Sequence, residues 1–421
     1  MGAGGAEDGG PHFHLRLRMA QLDYLTAGES HGACVLAVVS GLPAGLAIDV
    51  AMVARELERR QGGYGRGGRQ HIEHDAPEFL SGLRGGETLG SPVTIRIANR
   101  DSRIDDAART PPVFRPRPGH ADLAGAIKYL TPDCRGVLER ASARETAARV
   151  AAGAVARSLL REIGIEAFAF VRAIGGAGTD ATVTESNWRD RRAARDASET
   201  YCPDAGASVR QREVIRQAKI DQDTVGGVVE CHVFGCPAGL GSCMDWRDRL
   251  DARLAGAVMG IQAIKGVEIG MGMGVAGLPG SRVHDPIEYD ESRRATSPAI
   301  GFTRPSNNAG GIEGGMSNGT PVVVRAAMKP IATLLRGLPS VDLRTREAST
   351  SQHERSDVCA VPAASVVLEN VVAFEIARAA CEKFAGDTIA EFRTAHRKFM
   401  DYARAMPIEP GGEAIAGGDP A

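Results

Sequence analysis

The chain has 421 residues, a formal net charge of -2 and a sequence pI of about 6.6. It is long enough to bury a substantial core, and its charge balance gives no support for a protein that binds nucleic acid or a membrane surface. No apolar run approaches the ~20 residues that are needed to span a bilayer. Eight cysteines, spread from Cys34 to Cys381, form no dense framework, so we expect reduced thiols in a cytoplasmic protein without a metal site.

The organisation along the chain is expected to be simple. Residues 1–20 begin rich in glycine and lack a sustained periodicity, which is typical of a disordered N-terminal extension. Neither a short repeat nor a low-complexity linker divides the sequence that follows. We therefore predict one single domain over residues 22–405 and a flexible C-terminal tail over residues 407–421.

Strand-like and helix-like segments alternate through this domain. Apolar runs predict strands at residues 34–39, 92–97, 226–233 and 321–327. Four long helices are predicted to begin near residues 49, 142, 245 and 365, and the last two are expected to cover 245–264 and 365–384. Residues 175–222 combine poor periodicity with high charge, which favours a solvated, mobile peripheral segment.

Two histidines lie on loops rather than on apolar faces. Gly28 and Gly32 bracket a polar triplet that contains His31, which predicts a tight turn, although a β-turn with a solvated histidine is an equally simple interpretation. Prolines at positions 112, 116 and 118 rigidify the approach to Gly119 and His120. A histidine on such a rigid loop is well positioned to take part in catalysis.

The predicted helix near residue 142 has a recognisable start. Ser142 and Glu145 are spaced as a capping box, and small or apolar residues follow with helical periodicity. The first turn of such a helix presents unpaired N–H groups just after Arg140. It therefore suits an anion such as a phosphate.

A basic, glycine-rich loop over residues 62–70 follows the first predicted helix. Its arginines, Arg66 and Arg69, alternate with glycines, so the backbone can approach a multiply charged anion closely and the guanidinium groups can bind it. An RGG-like loop of the kind found in RNA-binding tails is the alternative. A single occurrence within a near-neutral chain favours the first interpretation.

Further polar clusters occur late in the chain. Residues 304–319 are rich in glycine and in side-chain amides and hydroxyls, which suits a loop that wraps a planar polar ligand, although no dinucleotide fingerprint is present. Lys329 and Thr333 follow a predicted strand end, and Arg355 and Asp357 precede the last long helix, where a surface ion pair is the simpler interpretation. The cysteines near His232 match no two-plus-two zinc pattern.

Five of these stretches, taken together, strongly resemble the chorismate synthase family. The motifs are Gly28-Glu-Ser-His-Gly32, Arg117-Pro-Gly-His-Ala-Asp122, Glu139-Arg-Ala-Ser-Ala-Arg-Glu-Thr146, Asn308-Ala-Gly-Gly-Ile-Glu-Gly-Gly-Met-Ser-Asn-Gly319 and Arg355-Ser-Asp357. They occur in unbroken order, and the resemblance covers about residues 22 to 405. It implies an α+β fold in which a core of long helices lies between antiparallel sheets, as a β-α-β sandwich, and a homotetrameric assembly.

The resemblance also implies an activity. The family is a group of lyases that eliminate phosphate from 5-enolpyruvylshikimate 3-phosphate in an anti-1,4 sense to give chorismate, the last common step of the shikimate pathway towards aromatic amino acids. The reaction requires reduced FMN, with NADPH as a possible reductant. A flavin- or nucleotide-dependent oxidoreductase with net electron transfer and a non-catalytic RNA-binding protein remain the rival classes.

The resemblance implies roles for individual residues. His31 would donate a proton near the phosphate and His120 would face the reduced flavin. Asp357 would help to remove the substrate proton, with Arg355 holding its orientation. Arg60 and Arg66 would meet the phosphorylated substrate or NADP. The FMN-binding positions would be Arg140, Ala141, Ser142, Gln262, Ala263, Gly314, Lys329, Pro330, Ile331, Ala332, Thr333 and Arg355.

The chain departs from many family members in the segment that carries Asp357. Ser356 and Val358 stand where those members have histidine and proline, and Ala363 stands where an arginine is frequent. Neither change removes a proposed catalytic group.

Overall fold

The structure, a computed structural model, describes residues 22–67, 73–352 and 356–406. Within these ranges the α-helices are α1 (Val50–Gln61), α2 (Asp122–Lys128), α3 (Arg135–Ala141), α4 (Thr146–Arg161), α5 (Trp188–Asp196), α6 (Ala205–Ile220), α7 (Leu250–Met259), α8 (Gly280–Val283), α9 (Val361–Phe384) and α10 (Ile389–Ala405). The strands are β1 (Asp23–Gly28), β2 (Cys34–Ser40), β3 (Pro77–Ser81), β4 (Leu83–Arg84), β5 (Glu87–Thr88), β6 (Val93–Ala98), β7 (Glu166–Ile174), β8 (Ala177–Gly178), β9 (Gly227–Phe234), β10 (Ile264–Ile269), β11 (Glu288–Tyr289), β12 (Phe302–Thr303), β13 (Ile312–Glu313), β14 (Met316–Ser317), β15 (Val322–Met328), β16 (Pro339–Val341) and β17 (Ala348–Thr350). The predicted extension 1–20 and the predicted tail 407–421 lie outside the described residues, so the division into domains stays a prediction.

Two antiparallel sheets form the outer layers of the molecule. One has the strand order β1-β2-β6-β3, and the other has the order β10-β15-β9-β7-β8. Along β2 the buried residues alternate, with Val35, Ala37 and Val39 facing inward. This period of two leaves one apolar face that must be covered.

Helices α1, α4 and α9 fill the space between the two sheets. α4 packs on β2 and β6, α9 packs on β7 and β9, and the two helices pack on each other. Their close approach depends on a small residue, because a Cβ atom added at Gly153 would lie 2.2 Å from the backbone oxygen of Asn370. The predicted architecture, long helices between antiparallel sheets, is confirmed.

Local sequence signals located several elements accurately. Strands β2, β6, β9 and β15 agree with the four predicted strands to within one residue at each end. Helix α1 begins after Asp49, whose carboxylate accepts a hydrogen bond of 2.8 Å from the Met52 backbone N–H. Side-chain caps of this kind satisfy one of the free donors of a helix start.

The helix predicted over residues 245–264 is wrong in its length. A 3-10 turn covers Trp246–Asp248, α7 ends at Met259, and residue 264 already belongs to strand β10. Gly260 and Ala263, the latter with a φ of 68°, break the helix before the strand begins. The apolar stripe through Leu250, Leu254 and Val258 is nevertheless buried, as predicted.

The peripheral segment predicted over residues 175–222 is also wrong, because it contains helices α5 and α6. Trp188 and Arg195 of α5 are buried, and Arg195 donates a 2.6 Å hydrogen bond to Glu369 in the central helix α9. A helix that is tied to the core by one aromatic ring and by the ion pairs of Arg192 and Arg195 carries little apolar periodicity. Its sequence therefore resembles that of a solvated segment.

Two helix starts differ slightly from expectation. α9 begins at Val361, four residues before the predicted start, with Pro362 in its first turn. The α4 region begins at Ser142 as predicted, but through a 3-10 turn over Ala143–Glu145. None of the described helices is both long and apolar enough to cross a membrane.

Candidate active site

A cleft of about 900 Å³ opens at one end of the helical layer. Its walls come from loops that the sequence places far apart: the turn at Ser30, the loops that follow α1 and precede α2, the junction of α3 with α4, residues 259–265, residues 328–333 and the start of α9. A cleft of this volume is in the range that accommodates small organic ligands.

The lining of this cleft is strongly cationic. Among the described residues it includes seven arginines and two lysines against three carboxylates. The cations are Arg60, Arg66, Arg103, Arg109, Arg117, Arg135, Arg144, Lys265 and Lys329, and the carboxylates are Glu73, Asp101 and Asp357. In a chain whose formal net charge is -2, this concentration of positive charge predicts an anionic ligand.

His31 lies in the cleft wall on a buried carboxylate. Its Nδ1 atom is 2.9 Å from Glu139 Oε1, and its backbone N–H donates a 2.8 Å hydrogen bond to Glu139 Oε2. Only 8% of the residue is exposed, so the alternative of a solvated histidine in a β-turn is wrong. Burial alone would raise the pKa of Glu139, but the hydrogen bonds and charge of His31 outweigh it and lower that pKa.

His120 has a similar arrangement. Its Nδ1 atom is hydrogen-bonded to Asp122 Oδ1, and Asp122 has no exposed surface. Arg117 clamps the same carboxylate, with a 2.8 Å bond from its Nε atom, and reaches Thr333 Oγ1 at 3.0 Å. Burial favours the neutral acid, yet the bonds from His120 and Arg117 hold the pKa of Asp122 well below its usual range.

Asp357 is held by the basic loop that follows α1. Arg66 donates a hydrogen bond to Asp357 Oδ2, and the Gly67 backbone N–H donates a 2.6 Å bond to Asp357 Oδ1. The sequence-based expectation gave the orienting role to Arg355, which lies outside the described residues. Among the described residues, Arg66 and Gly67 orient this carboxylate.

Arg60 belongs to a more rigid part of the wall. It donates a 2.6 Å hydrogen bond to Asp75 Oδ2, and Arg144 binds the other oxygen of the same buried carboxylate. Burial would raise the pKa of Asp75, but the two guanidinium groups lower it. Because two arginines share one carboxylate, the cluster of Arg60, Arg144 and Asp75 retains a net positive charge at the cleft surface.

Most of the predicted cofactor positions line the cleft. They are Ala141, Ser142, Gln262, Ala263, Lys329, Pro330, Ile331, Ala332 and Thr333. Ser142 Oγ donates a 3.1 Å hydrogen bond to Ser30 Oγ, and accepts a 3.3 Å bond from the Arg144 backbone N–H. Burial and the neighbouring Lys265 lower the pKa of Lys329.

The predicted capping box at the start of α4 is not formed. Glu145 turns away from the Ser142 backbone, and its carboxylate instead accepts hydrogen bonds from Thr26 at 2.6 Å and from Gln262 at 2.8 Å. Arg149 adds a further bond from the next helical turn. Because Glu145 holds Gln262 in the cleft wall, its tertiary partners outweigh the local cap.

Two predicted cofactor positions lie away from the cleft in this chain. Arg140 donates hydrogen bonds to the backbone oxygens of Gly28 and Thr26, and Gly314 lies in the turn between β13 and β14. Neither residue lines the cleft. Their roles stay predictions.

Several residues of the cleft received no role from the sequence. They are Ser30, Asp101, Arg103, Arg109, Arg117, Arg135, Arg144 and Lys265 in its lining, and Asp75, Asp122 and Glu139 directly behind it. Ser30, Arg117, Asp122, Glu139 and Arg144 stand inside the motifs quoted above, so motif membership was an available signal. For the others, a lone charged residue outside any motif gave no indication of which way it faces.

His232, which lies beside Cys231 on strand β9, binds a carboxylate. Its Nε2 atom is 2.7 Å from Glu230 Oε1, and its ring stacks between Phe170 of β7 and Phe234 of β9. Among the described residues no group of three or more His, Cys, Asp or Glu side chains is arranged to hold a metal ion.

Fold and cleft together define an α+β protein whose strongly cationic cleft suits a small anionic ligand and contains His31, His120 and Asp357. A sequence model of the chorismate synthase family matches residues 22–381. The chain is 53% identical over 393 residues to the chorismate synthase of Desulforudis audaxviator, and the match covers 91% of this chain and 98% of the relative. It is 52% identical over 397 residues to the chorismate synthase of Geobacter metallireducens, and that match covers 91% of this chain and 100% of the relative. A crystal structure of a chorismate synthase superposes with a TM-score of 0.74 at 38% identity, and covers 92% of this chain and 99% of that one. The chain belongs to the chorismate synthase family, whose members are lyases of the shikimate pathway.

Proposed function

We propose that this chain converts 5-enolpyruvylshikimate 3-phosphate into chorismate by anti-1,4-elimination of phosphate, with reduced FMN as its cofactor. The observation that carries the proposal is the presence of His31, His120 and Asp357 in one cleft that is lined by nine cationic side chains. The reaction removes a proton from one carbon and a phosphate from another. It therefore needs a base, an acid and a site for a multiply charged anion.

The leaving group determines the role of the cations. A phosphate ester departs with about two negative charges, which guanidinium groups stabilise best when they are already in place. Arg60 and Arg144 are held by Asp75, so they need little reorganisation when the anion binds. His31 Nε2 lies 3.3 Å from Arg103, which also lines the cleft, and from there it would give its proton to the departing phosphate oxygen.

A second group of cleft residues fits a flavin mononucleotide. Gln262 Oε1 is buried without a hydrogen-bond partner among the described residues, so it can accept a bond from a bound ring N–H group. Lys265, Lys329 and the helix start at Ser142 suit a phosphate, whereas Ala263 and Ala332 offer small apolar surfaces. Bound reduced FMN would supply an electron-rich ring that assists C–O cleavage without net oxidation.

Asp357 and His120 complete the assignment. The carboxylate of Asp357, oriented by Arg66 and Gly67, would take part in removing the substrate proton. His120, hydrogen-bonded to the ionised Asp122, would place positive charge beside the reduced ring. NADPH as a direct reductant of the flavin and a homotetrameric assembly belong to the same proposal and rest on the family resemblance.

The decisive experiment measures phosphate release from 5-enolpyruvylshikimate 3-phosphate under anaerobic conditions with FMN, and compares dithionite with NADPH as reductant. We expect one chorismate for each phosphate, with reductant needed only to keep FMN reduced. Absence of phosphate release with chemically reduced FMN would refute the proposal. Consumption of one reductant per turnover would instead support a net oxidoreductase.

Two matched variants sharpen this assay. Asp357→Asn should abolish most of the phosphate release, whereas Asp342→Asn, which alters an ion pair with Arg344 outside the cleft, should not.

Filter binding of RNA at increasing salt tests the rival class of RNA-binding proteins, because RNA binding through the loop at Arg66 would weaken steeply with salt.

A further inference from the structure

Glu139 stands directly behind His31 and received no role above. Its carboxylate has no exposed surface, and both of its oxygens lie within 3.0 Å of His31 Nδ1. The backbone N–H of His31 binds one of these oxygens, and the Ser30 backbone N–H binds the Glu139 backbone oxygen at 3.0 Å. Glu139 thus holds both the ring and the turn that carries it.

We propose that Glu139 is a positioning residue for His31, whose carboxylate keeps the ring proton on Nδ1 and leaves Nε2 to exchange the proton with the substrate phosphate. The inference rests on the proposed function of His31. A carboxylate can only accept, so Nδ1 must donate to it. The atom that faces the cleft is then Nε2 in every protonation state of the ring.

The other charged groups around the ring agree with this assignment. Arg103 NH2 is 3.3 Å from Nε2, and a guanidinium can only donate, so this contact corresponds to a neutral ring with a lone pair on Nε2. Asp101 Oδ2 lies 3.7 Å from Nε2 on the same side, and Arg135 lies 3.5 Å from Glu139 behind the ring. Glu139 and Asp101 favour the charged ring, whereas Arg103 and Arg135 oppose it.

The proton balance follows from this geometry. Before the reaction, His31 Nε2 takes a proton from solvent. Arg103 then keeps Asp101 as its ion-pair partner, which it already contacts at 3.2 Å. When the C–O bond to the phosphate breaks, the Nε2–H bond breaks and an O–H bond forms on the leaving phosphate. The ring returns to the neutral state, with Nδ1–H still bound to Glu139.

The test compares Glu139→Gln and Glu139→Asp with the wild-type chain. Long-range 1H–15N spectra of histidine-labelled protein report which ring nitrogen carries the proton, with the His31 signal assigned from His31→Gln. We expect Nδ1–H in the wild type and in Glu139→Asp, and a mixture of tautomers in Glu139→Gln, because an amide can also donate. A wild-type ring protonated on Nε2 alone would overturn the proposal, even if the glutamine variant does not fold.

The pH profile of phosphate release gives the functional measurement. His31 must be protonated to act as an acid, so kcat/KM falls as pH rises, and in Glu139→Gln this fall should begin about one pH unit lower. Glu139→Asp should restore the wild-type profile. A profile that is only scaled down at every pH would show that Glu139 merely supports the fold.

Glu230→Gln is the matched control. Glu230 is also a buried carboxylate hydrogen-bonded to a histidine, His232 at 2.7 Å, but neither residue lines the cleft. This variant should keep the wild-type pH profile. If the wild-type chain releases no phosphate at all, the proposed function fails, and the tautomer of His31 still decides whether Glu139 positions the ring.

Discussion

Arg66 and Asp357, which both line the cleft, form a hydrogen-bonded ion pair although they are 291 positions apart in the chain. The pair joins the basic loop after α1 to the segment before α9. Both side chains are largely buried, with 10% and 16% of their surfaces exposed. The position of the basic loop therefore depends on that of the segment around Asp357, and FMN and the substrate would each meet loops that the other ligand helps to fix.

This pair predicts positive coupling between FMN and the substrate. A ligand that orders one loop lowers the ordering cost for the second ligand, and such coupling is typically about 1–3 kcal/mol. The dissociation constant of FMN, measured by flavin fluorescence, should fall when 5-enolpyruvylshikimate 3-phosphate is present. Arg66→Ala should remove this difference.

Arg247→Ala is the control for this measurement, because Arg247 forms an exposed pair with Asp245 outside the cleft. It should preserve the coupling. Equal FMN affinity with and without saturating substrate in the wild-type chain would refute the coupling.

His31→Ala and His120→Ala should each lower turnover by about 10²-fold or more, because each removes a charged or proton-transferring group from the reaction. Both variants should still fold. Turnover is measured by phosphate release, and folding by circular dichroism. His284→Ala, which changes an exposed histidine outside this cleft, should keep its activity; near-full activity of both cleft variants would refute their roles.

Ionised Glu369 stabilises the fold, so the free energy of unfolding should decrease at acidic pH. Its carboxylate is fully buried and binds Arg195 at 2.6 Å and Arg157 at 3.0 Å. Burial would raise its pKa, but the surrounding arginines outweigh burial and depress it. A depressed pKa in the folded state stabilises the protein above the unfolded value of about 4.3, and this stabilisation is lost as pH falls below that value.

Glu369→Gln should therefore cost about 3–5 kcal/mol of unfolding free energy near pH 7, because it leaves buried arginines without their partner. The difference from the wild type should shrink as pH falls below 4.3, as measured by urea unfolding between pH 7 and pH 3. Glu213→Gln, which alters an exposed pair with Arg216, should follow the wild-type curve. A constant difference at all pH values would contradict the prediction.

Gly153 and Gly256 should respond in opposite ways to alanine. At Gly153 the new Cβ would meet the Asn370 backbone, so we expect a loss of about 1–3 kcal/mol from overpacking. At Gly256, in α7, the Cβ would meet no atom within 4 Å, and we expect a gain of about 0.5–1 kcal/mol from helix propensity. Thermal unfolding of both variants checks the signs, and a stabilised Gly153→Ala would contradict the packing of α4 against α9.

The predictions from sequence succeeded where the signal was local. Alternating apolar residues located four strands to within one residue, and Asp49 marked the start of α1. They failed over residues 245–264 and 175–222. There the outcome depended on a backbone reversal at Ala263 and on the burial of Trp188 and Arg195 against other elements.

The sequence by itself determined the family, the positions of strands β2, β6, β9 and β15 and the start of α1, and which loops carry the histidines and Asp357. These features depend on residue type and on spacing along the chain, both of which are readable without coordinates. Only the tertiary structure decided that Glu139 holds His31, that Asp122 and Arg117 hold His120, and that Arg66 holds Asp357. Polar side chains have no periodicity that reveals their partners, and contacts such as that of His31 with Glu139, 108 positions away, arise only when sheets and helices stack.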